Sequence, residues 1–298
     1  MAQHLPACIE EFGERDRSSM TASHIYHAIE VSDCLRPFVR RVLATDTNGA
    51  ADITIDVRGS GYHYLGFVWR GRWQGQVNGQ ICFDSHIDGP IHLSGQVSNA
   101  DVSAKMSGDF GHIVLEFTAL GHFQLLGING QSLSNDAKAP QTLNAQLGTY
   151  LQKIETARCD TNATCLDLVA EVLSQVPKHP VSDGILQVLH HIEAADGNVR
   201  MSALLAQLGL PERKFRDDFH RLIGLTPKAF CKTLQINKAL HQLIVNNGGD
   251  LVGISIDNGF ADQAHFTRAF REFLGDSPAR YLKDIEATLA RFVGRSRE

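Results

Sequence analysis

The reading of this chain turns on GFADQAHFTRAFREFLGDSPARYL, Gly259 to Leu282. Phe266 and Phe270 stand four residues apart and so share one face of a helix. Gly275 stops that helix, and Ser277-Pro278 starts the next. Asp262 is placed to cap the N-terminus. Gly259 permits the left-handed backbone through which a short preceding helix meets this one at a steep angle, the arrangement of a helix-turn-helix. With the phenylalanines turned inward, Gln263, Ala264, His265, Thr267, Arg268 and Arg271 are expected to face outward. Gln and Arg are well shaped for bidentate contacts to base edges, and Arg also serves phosphates.

The unit occurs twice. Phe215, Phe219, Gly224, Thr226, Pro227 and Phe230 return as Phe266, Phe270, Gly275, Ser277, Pro278 and Tyr281, each displaced by 51 residues. Upstream, Leu204, Gly209 and Leu210 return as Ile254, Gly259 and Phe260 at a displacement of 50, so one residue is inserted in the second turn. Thr226 to Val245 reads as one helix of 20 residues between the two units. At ~1.5 Å per residue it is about 30 Å long. Major-groove turns on one face of a duplex lie ~34 Å apart, so this rod suits two recognition helices in neighbouring grooves.

These residues resemble the AraC/XylS-type bacterial transcription regulators. Gly259 to Leu282 is similar to the family signature, and LGLPERKFRDDFHRLIGLTPKAF, Leu208 to Phe230, to its first helix-turn-helix; the resemblance covers about residues 182–285. It implies a two-unit DNA-binding domain, each unit presenting one recognition helix, attached to a variable domain that senses an effector or makes dimers. Carried over by position, Gln263, His265, Thr267 and Arg268 match contact positions of the second recognition helix. Arg213 and Arg216 match base- or phosphate-facing positions of the first. The resemblance further implies double-stranded promoter DNA and RNA polymerase as partners, activation by an unidentified small-molecule effector, and a homodimer as the active form.

Three departures stand out. Asp217, followed by Asp218, occupies a position where the family usually has Arg; Pro211 replaces the usual Ser cap; Gln235 stands where the connecting helix usually has Arg. A carboxylate near phosphates is repulsive, although Asp217 can instead accept from cytosine N4. The second unit is therefore expected to dominate affinity.

Upstream the pattern changes. Of the 26 glycines, 14 fall between Gly49 and Gly130, at intervals suited to turns between short strands. Ile53, Ile55 and Val57 alternate with polar neighbours, as do Leu65, Phe67 and Trp69, and Ile113, Leu115 and Phe117. The expected fold is α+β: an N-terminal segment (1–34), a small antiparallel β barrel or sandwich (35–135), connecting or dimerisation helices (141–176), and an all-α double helix-turn-helix domain (182–290). Leu143, Leu147, Leu151 and Ile154, then Leu166, Val169, Leu173 and Val176, form two helical stripes. Either they cover the sheet or they pair with a second subunit. Val176–Pro180, with two prolines, is the linker candidate. GPIHLSGQVS (Gly89–Ser98) and IVLEFTALGHFQLLGINGQSL (Ile113–Leu133) are similar to the shortened β-rich sensor domains found ahead of such modules.

Composition excludes other classes. The 298 residues, 43% hydrophobic and 20% charged, have ordinary globular composition. Residues 1–180 carry 13 Lys+Arg against 19 Asp+Glu and the remainder 15 against 14, so no basic arm supports nucleic-acid binding by bulk charge. The six cysteines show no Cys-x-x-Cys and read as reduced thiols. No secretory leader and no apolar run near ~18 residues is present, so no membrane partner and a cytoplasmic location are expected. His63, His86 and His92 lack the spacing of a metal-binding barrel; no metal and no cofactor are expected. Catalytic templates are absent and no enzyme is expected. Tyr62, Tyr64 and Trp73 are the candidate effector contacts, with Tyr62 and Tyr64 on the face opposite Leu65, Phe67 and Trp69. The alternative is a small-molecule-binding or catalytic β domain whose helical tail mediates assembly.

Overall fold

A computed structural model describes residues 27–282, apart from 58, 99, 158 and 247. Most of the expected 1–34 segment, with Cys8, and residues 283–290 of the expected 182–290 domain lie outside the described residues. The described chain divides into two compact units: one holds residues through His190 together with Met201–Ala229, the other His191–Arg200 and the residues from Phe230 on. No helix among the described residues is long and apolar enough to cross a membrane.

The first unit contains β1 (His27–Ile29), β2 (Val39–Val57), β3 (Tyr64–Val77), β4 (Gln80–Asp84), β5 (Ile91–Ser94), β6 (Val102–Phe117) and β7 (Ala137–Lys138). They form one antiparallel sheet in the order β1-β2-β6-β3-β5-β7, with β4 on the later half of β3. The antiparallel β domain expected from the glycine spacing is present as this single sheet. Its long strands are not uniform. Register shifts between Val68 and Arg72, and between Asp46 and Ala50, bend them and reverse the side-chain alternation.

The sheet carries a separate core on each face. Leu65 and Phe67, with Ile113, Leu115 and Phe117, pack beneath α3 (Ala145–Thr156) and α4 (Asn162–Gln175). Beyond the shifts, Trp73 instead joins Val68, Phe83, Met106 and Phe110 in a second cluster. Both helical stripes foreseen from the 3.6-residue period, Leu147, Leu151 and Ile154 with Leu166, Val169, Leu173 and Val176, are buried in the first core. They cover their own sheet. Trp69 ties the layers together, its Nε1 donating to Asn162 Oδ1 at 2.9 Å. Before α3 come α1 (Gly121–Leu126), a single helical turn at Gly130–Leu133, and α2 (Pro140–Leu143). The proline-flanked segment after α4 is tied down, with His179 N donating to Gln124 O at 2.8 Å.

Helices then follow without strands: α5 (Asp183–Ala194), α6 (Met201–Gln207), α7 (Glu212–Ile223), α8 (Pro227–Val245), α9 (Leu251–Asp257) and α10 (Gln263–Leu274). The second unit closes round Ile236, Leu240 and Leu243 of α8, Ile254 of α9, and Phe266, Phe270 and Leu274 of α10. Gln235 serves structure here, its Nε2 donating to Gly197 O at 3.3 Å.

Candidate nucleic-acid interface and cavity

In the second repeat, α9 and α10 are joined through Gly259, whose φ of +76° is left-handed. Asp262 caps α10: its Oδ1 accepts from His265 N at 2.6 Å. Phe266 and Phe270 are fully buried and meet edge to face at 5.5 Å. That anchoring settles which side chains point away from the core. Gln263, Ala264, Arg268 and Arg271 are exposed, whereas His265 and Thr267 are half-buried. His265 sits back over the turn, its ring edge-on to Phe260 at 5.5 Å and its Nδ1 accepting from Ala261 N at 3.4 Å. Among the described residues neither Arg268 nor Arg271 is ion-paired; both are exposed on α10, as is Glu272.

The first repeat has the same skeleton and a different surface. Gly209, with φ +65°, joins α6 to α7. Phe215 and Phe219 are buried with rings 5.4 Å apart. Pro211 takes the N-cap position, where it offers no side-chain hydrogen bond. Arg213, Lys214, Arg216 and Asp217 are exposed, and Arg213, Lys214, Asp217 and Asp218 line a shallow open depression with Pro211. Asp218 is paired at 3.4 Å with Arg221. Carboxylates thus offset much of the positive charge on α7, and Glu272 offsets part of that on α10.

The β domain holds a small cavity of about 40 Å³, lined by Tyr64, Trp73, Cys82, Ser94, Ser103 and Asp136 among others. Strict alternation separates Tyr64 from Trp73; the register shifts within β3 bring both to one face. Tyr62 lies elsewhere. It precedes β3, and its ring carries the Arg40 guanidinium at 3.8 Å from the centroid. Arg40 and Arg41 bracket the fully buried Glu116 at 2.5 and 2.7 Å. Burial and the Glu116 charge raise the Tyr64 phenol well above its usual range, so it stays a neutral hydroxyl.

Trp73 stacks flat on His92 at 3.8 Å, and His92 Nε2 lies 3.1 Å from His112 Nε2. Burial drives His92 down to about 3 and lowers His112 as well, its neighbour adding to the effect. The three histidines weighed as ligands do not converge. His63 stacks on His122 at 3.7 Å, His86 Nε2 donates to Gly71 O at 3.1 Å, and His92 belongs to the pair just described. Among the described residues no three His, Cys, Asp or Glu side chains are placed to hold a metal ion. The buried histidine pairs had no signal in local periodicity, because their members lie far apart in the chain; His92 and His112, 20 residues apart, meet across β3.

Fold and site together define a protein with a β domain followed by two helix-turn-helix units. Residues 204–284 match a family model described as a helix-turn-helix domain. Over 81 residues the chain is 30% identical to HTH-type transcriptional regulator ExsA of Pseudomonas aeruginosa, covering 27% of this chain and 29% of that protein. Over 81 residues it is also 28% identical to virulence regulon transcriptional activator VirF of Yersinia enterocolitica, covering 27% and 30%. Among solved structures it is similar to a single-residue variant of apo ToxT from Vibrio cholerae, with a TM-score of 0.44 and 14% identity over 85% of this chain and 98% of that one. The matched segment spans less than a third of the two curated relatives. Residues 204–284 therefore carry a helix-turn-helix domain.

Proposed function

We propose that the chain is a sequence-specific DNA-binding transcription regulator whose α7 and α10 read promoter DNA, and whose β domain answers to a small-molecule effector at the Tyr64–Trp73 cavity. Its work is recognition, not catalysis. Following the relatives named as activators, it raises transcription through contact with RNA polymerase, as a homodimer, in the cytoplasm where the promoter lies. Gln263 and Arg268 contact base edges, Arg271 and Arg216 phosphates, and Arg213 either; His265 and Thr267, half-buried, contribute at the margin of the contact.

The observation that carries this reading is Arg268 and Arg271, exposed and without acidic partners among the described residues, beside Gln263 on a helix fixed by the Asp262 cap and two buried phenylalanines. A merely solvated helix face does not require that anchoring. α8 supplies 19 residues of helix between the repeats, ~28 Å at the usual rise.

The test is titration of mixed-sequence duplex DNA with full-length protein and with Arg268→Ala across a salt series. Each phosphate contact releases condensed counterions, so affinity falls with salt, and loss of one contact lowers the logarithmic slope by about 0.9. Binding that ignores both salt and Arg268 refutes the reading and favours a β domain with a helical assembly tail.

A further inference from the structure

We infer that residues 129–138 form a strap coupling the β-domain cavity to the first recognition helix, such that filling the cavity loosens the last turn of α7. The inference deepens the effector reading above and rests on it. Both ends of the strap, and α7 itself, lie within one compact unit.

One end grips α7. The last carbonyls of a helix have no partner within it. Here the β domain supplies partners. His122, buried on α1, donates its Nε2 proton to Leu222 O at 3.0 Å. Ser134 Oγ donates to Gly224 O at 3.2 Å, and Arg221 Nη1 to Asn129 Oδ1 at 3.0 Å. Between these bonds backbone meets backbone. A Cβ on Gly130 would stand 2.5 Å from the Ile223 carbonyl carbon and 2.7 Å from the Leu222 oxygen, so the approach requires glycine. His63, stacked on His122, backs the ring that makes the first bond.

The other end is the cavity wall. Asn135 N donates to Gln96 O at 2.8 Å and Gly95 N to Asp136 O at 3.1 Å, after which Ala137 and Lys138 pair with Ser94 and Leu93 as β7. Asp136, Ala137, Ser94 and Gly95 all line the cavity. Only Asn135 separates the Ser134 contact with α7 from the first of these wall residues on the strap. A cavity of about 40 Å³ is far below the ~300 Å³ of an ordinary ligand pocket, so an occupant must displace a wall. The two-residue edge strand β7, held by β5, is the part of that wall with the fewest sheet bonds. Its displacement pulls directly on Ser134 and Gly130. Coupling then runs through contiguous contacts having a docked and an undocked arrangement.

The experiment is amide hydrogen exchange on the full chain, wild type against Asn129→Ala/Ser134→Ala, which weakens the dock without touching α7, and against Val102→Phe, which fills the cavity from β6, where Val102 lines it on the face shared with Met106. Both variants should speed exchange at residues 221–224 about tenfold or more while leaving α10 unchanged. A folded Val102→Phe protein that perturbs only β6, or a double variant that exchanges like wild type, overturns the strap. Should Phe unfold the sheet, Val102→Leu is read with the same two outcomes. Mixed-sequence DNA titration of the same proteins separates the two readings: wild type without salt-sensitive binding removes the regulator, whereas unchanged exchange beside intact DNA binding removes the strap alone.

Discussion

The Nε2 atoms of His92 and His112 face each other across 3.1 Å in the interior of the β domain, so one ring donates and the other accepts, and a single proton lies between them. Neither ring can gain a second proton there without breaking that bond and leaving a buried charge. Packing enforces the arrangement. A Cβ on Gly66 of the neighbouring strand would fall 2.0 Å from His92 Nε2 and 2.5 Å from His112 Nε2. Gly66→Ala must therefore displace the pair, with the Trp73 ring stacked on it.

Acid should unfold this protein early. Burial lowers His92 and His122 to about 3, and lowers His63 and His112 in the same direction. These folded values lie below the unfolded value near 6.5, so below about pH 6.5 the unfolded chain binds more protons and stability falls with pH. The stability is fully present above pH 6.5 and drains away toward the folded values. Each such histidine contributes a slope of up to about 1.4 kcal/mol per pH unit. Asp84, held down to about 2 mainly by its hydrogen bonds from Arg72, acts in a separate window below its unfolded value near 4. Urea midpoints should fall between pH 6.5 and 5; a flat profile there contradicts neutral buried histidines.

Glu116→Gln should be among the costlier single substitutions in the sheet. Glu116 is fully buried, with Arg40 and Arg41 both on its carboxylate and Arg41 largely buried beside it. Removing the negative charge leaves two guanidinium groups facing each other, a situation that costs about 3–5 kcal/mol when the partners are buried. Partial exposure of Arg40 favours the lower end of that range. Urea unfolding of both proteins at pH 7.5 gives the difference, and a loss under about 1 kcal/mol would show that the arginines find other partners.

Asp262→Ala removes the side chain that accepts the His265 N–H at the start of α10. The expected loss is about 1 kcal/mol of stability, and Asp262→Asn should restore most of it because amide oxygens cap nearly as well. Amide exchange across the first turn of α10 reads the effect locally. Unaltered exchange there in Asp262→Ala would mean that burial of Phe266 and Phe270 alone fixes the helix.

The helical half of this chain was legible because its determinants are local. Phe215/Phe219 and Phe266/Phe270 bury themselves by i, i+4 spacing, Gly209 and Gly259 take the positive φ their turns need, and Asp262 caps where its position indicates. The strands were legible as strands, but not their faces. The shifts between Val68 and Arg72 move Trp73 onto the Tyr64 side, and nothing in alternation marks a bulge. Tyr62 escaped for a related reason, lying before β3 where the period of two does not hold. His265 is less exposed than a helical wheel implies because its ring folds back onto Phe260 and Ala261 in the turn. The grip of Gly130 on α7 joins residues more than 90 apart and leaves only a glycine as its trace.

Asp217→Arg should strengthen DNA binding across sequences. Asp217 is exposed on α7 beside Arg213, Lys214 and Arg216, where it offsets their charge, whereas the corresponding face of α10 carries Arg268 and Arg271 without acidic partners among the described residues. Replacing a carboxylate with a guanidinium removes a repulsion and adds a phosphate partner. Affinity for mixed-sequence duplex at moderate salt should rise about tenfold, and the logarithmic salt slope should steepen by about 0.9. The steeper slope distinguishes this cause from a change in fold, which alters affinity without adding a released counterion. If Asp217 instead accepts a hydrogen bond from cytosine N4, the substitution weakens binding to the preferred sequence and leaves mixed-sequence binding little changed. Comparing a selected high-affinity duplex with the mixed pool separates the two roles: a gain on both supports repulsion relieved, and a loss confined to the selected duplex assigns Asp217 to base readout.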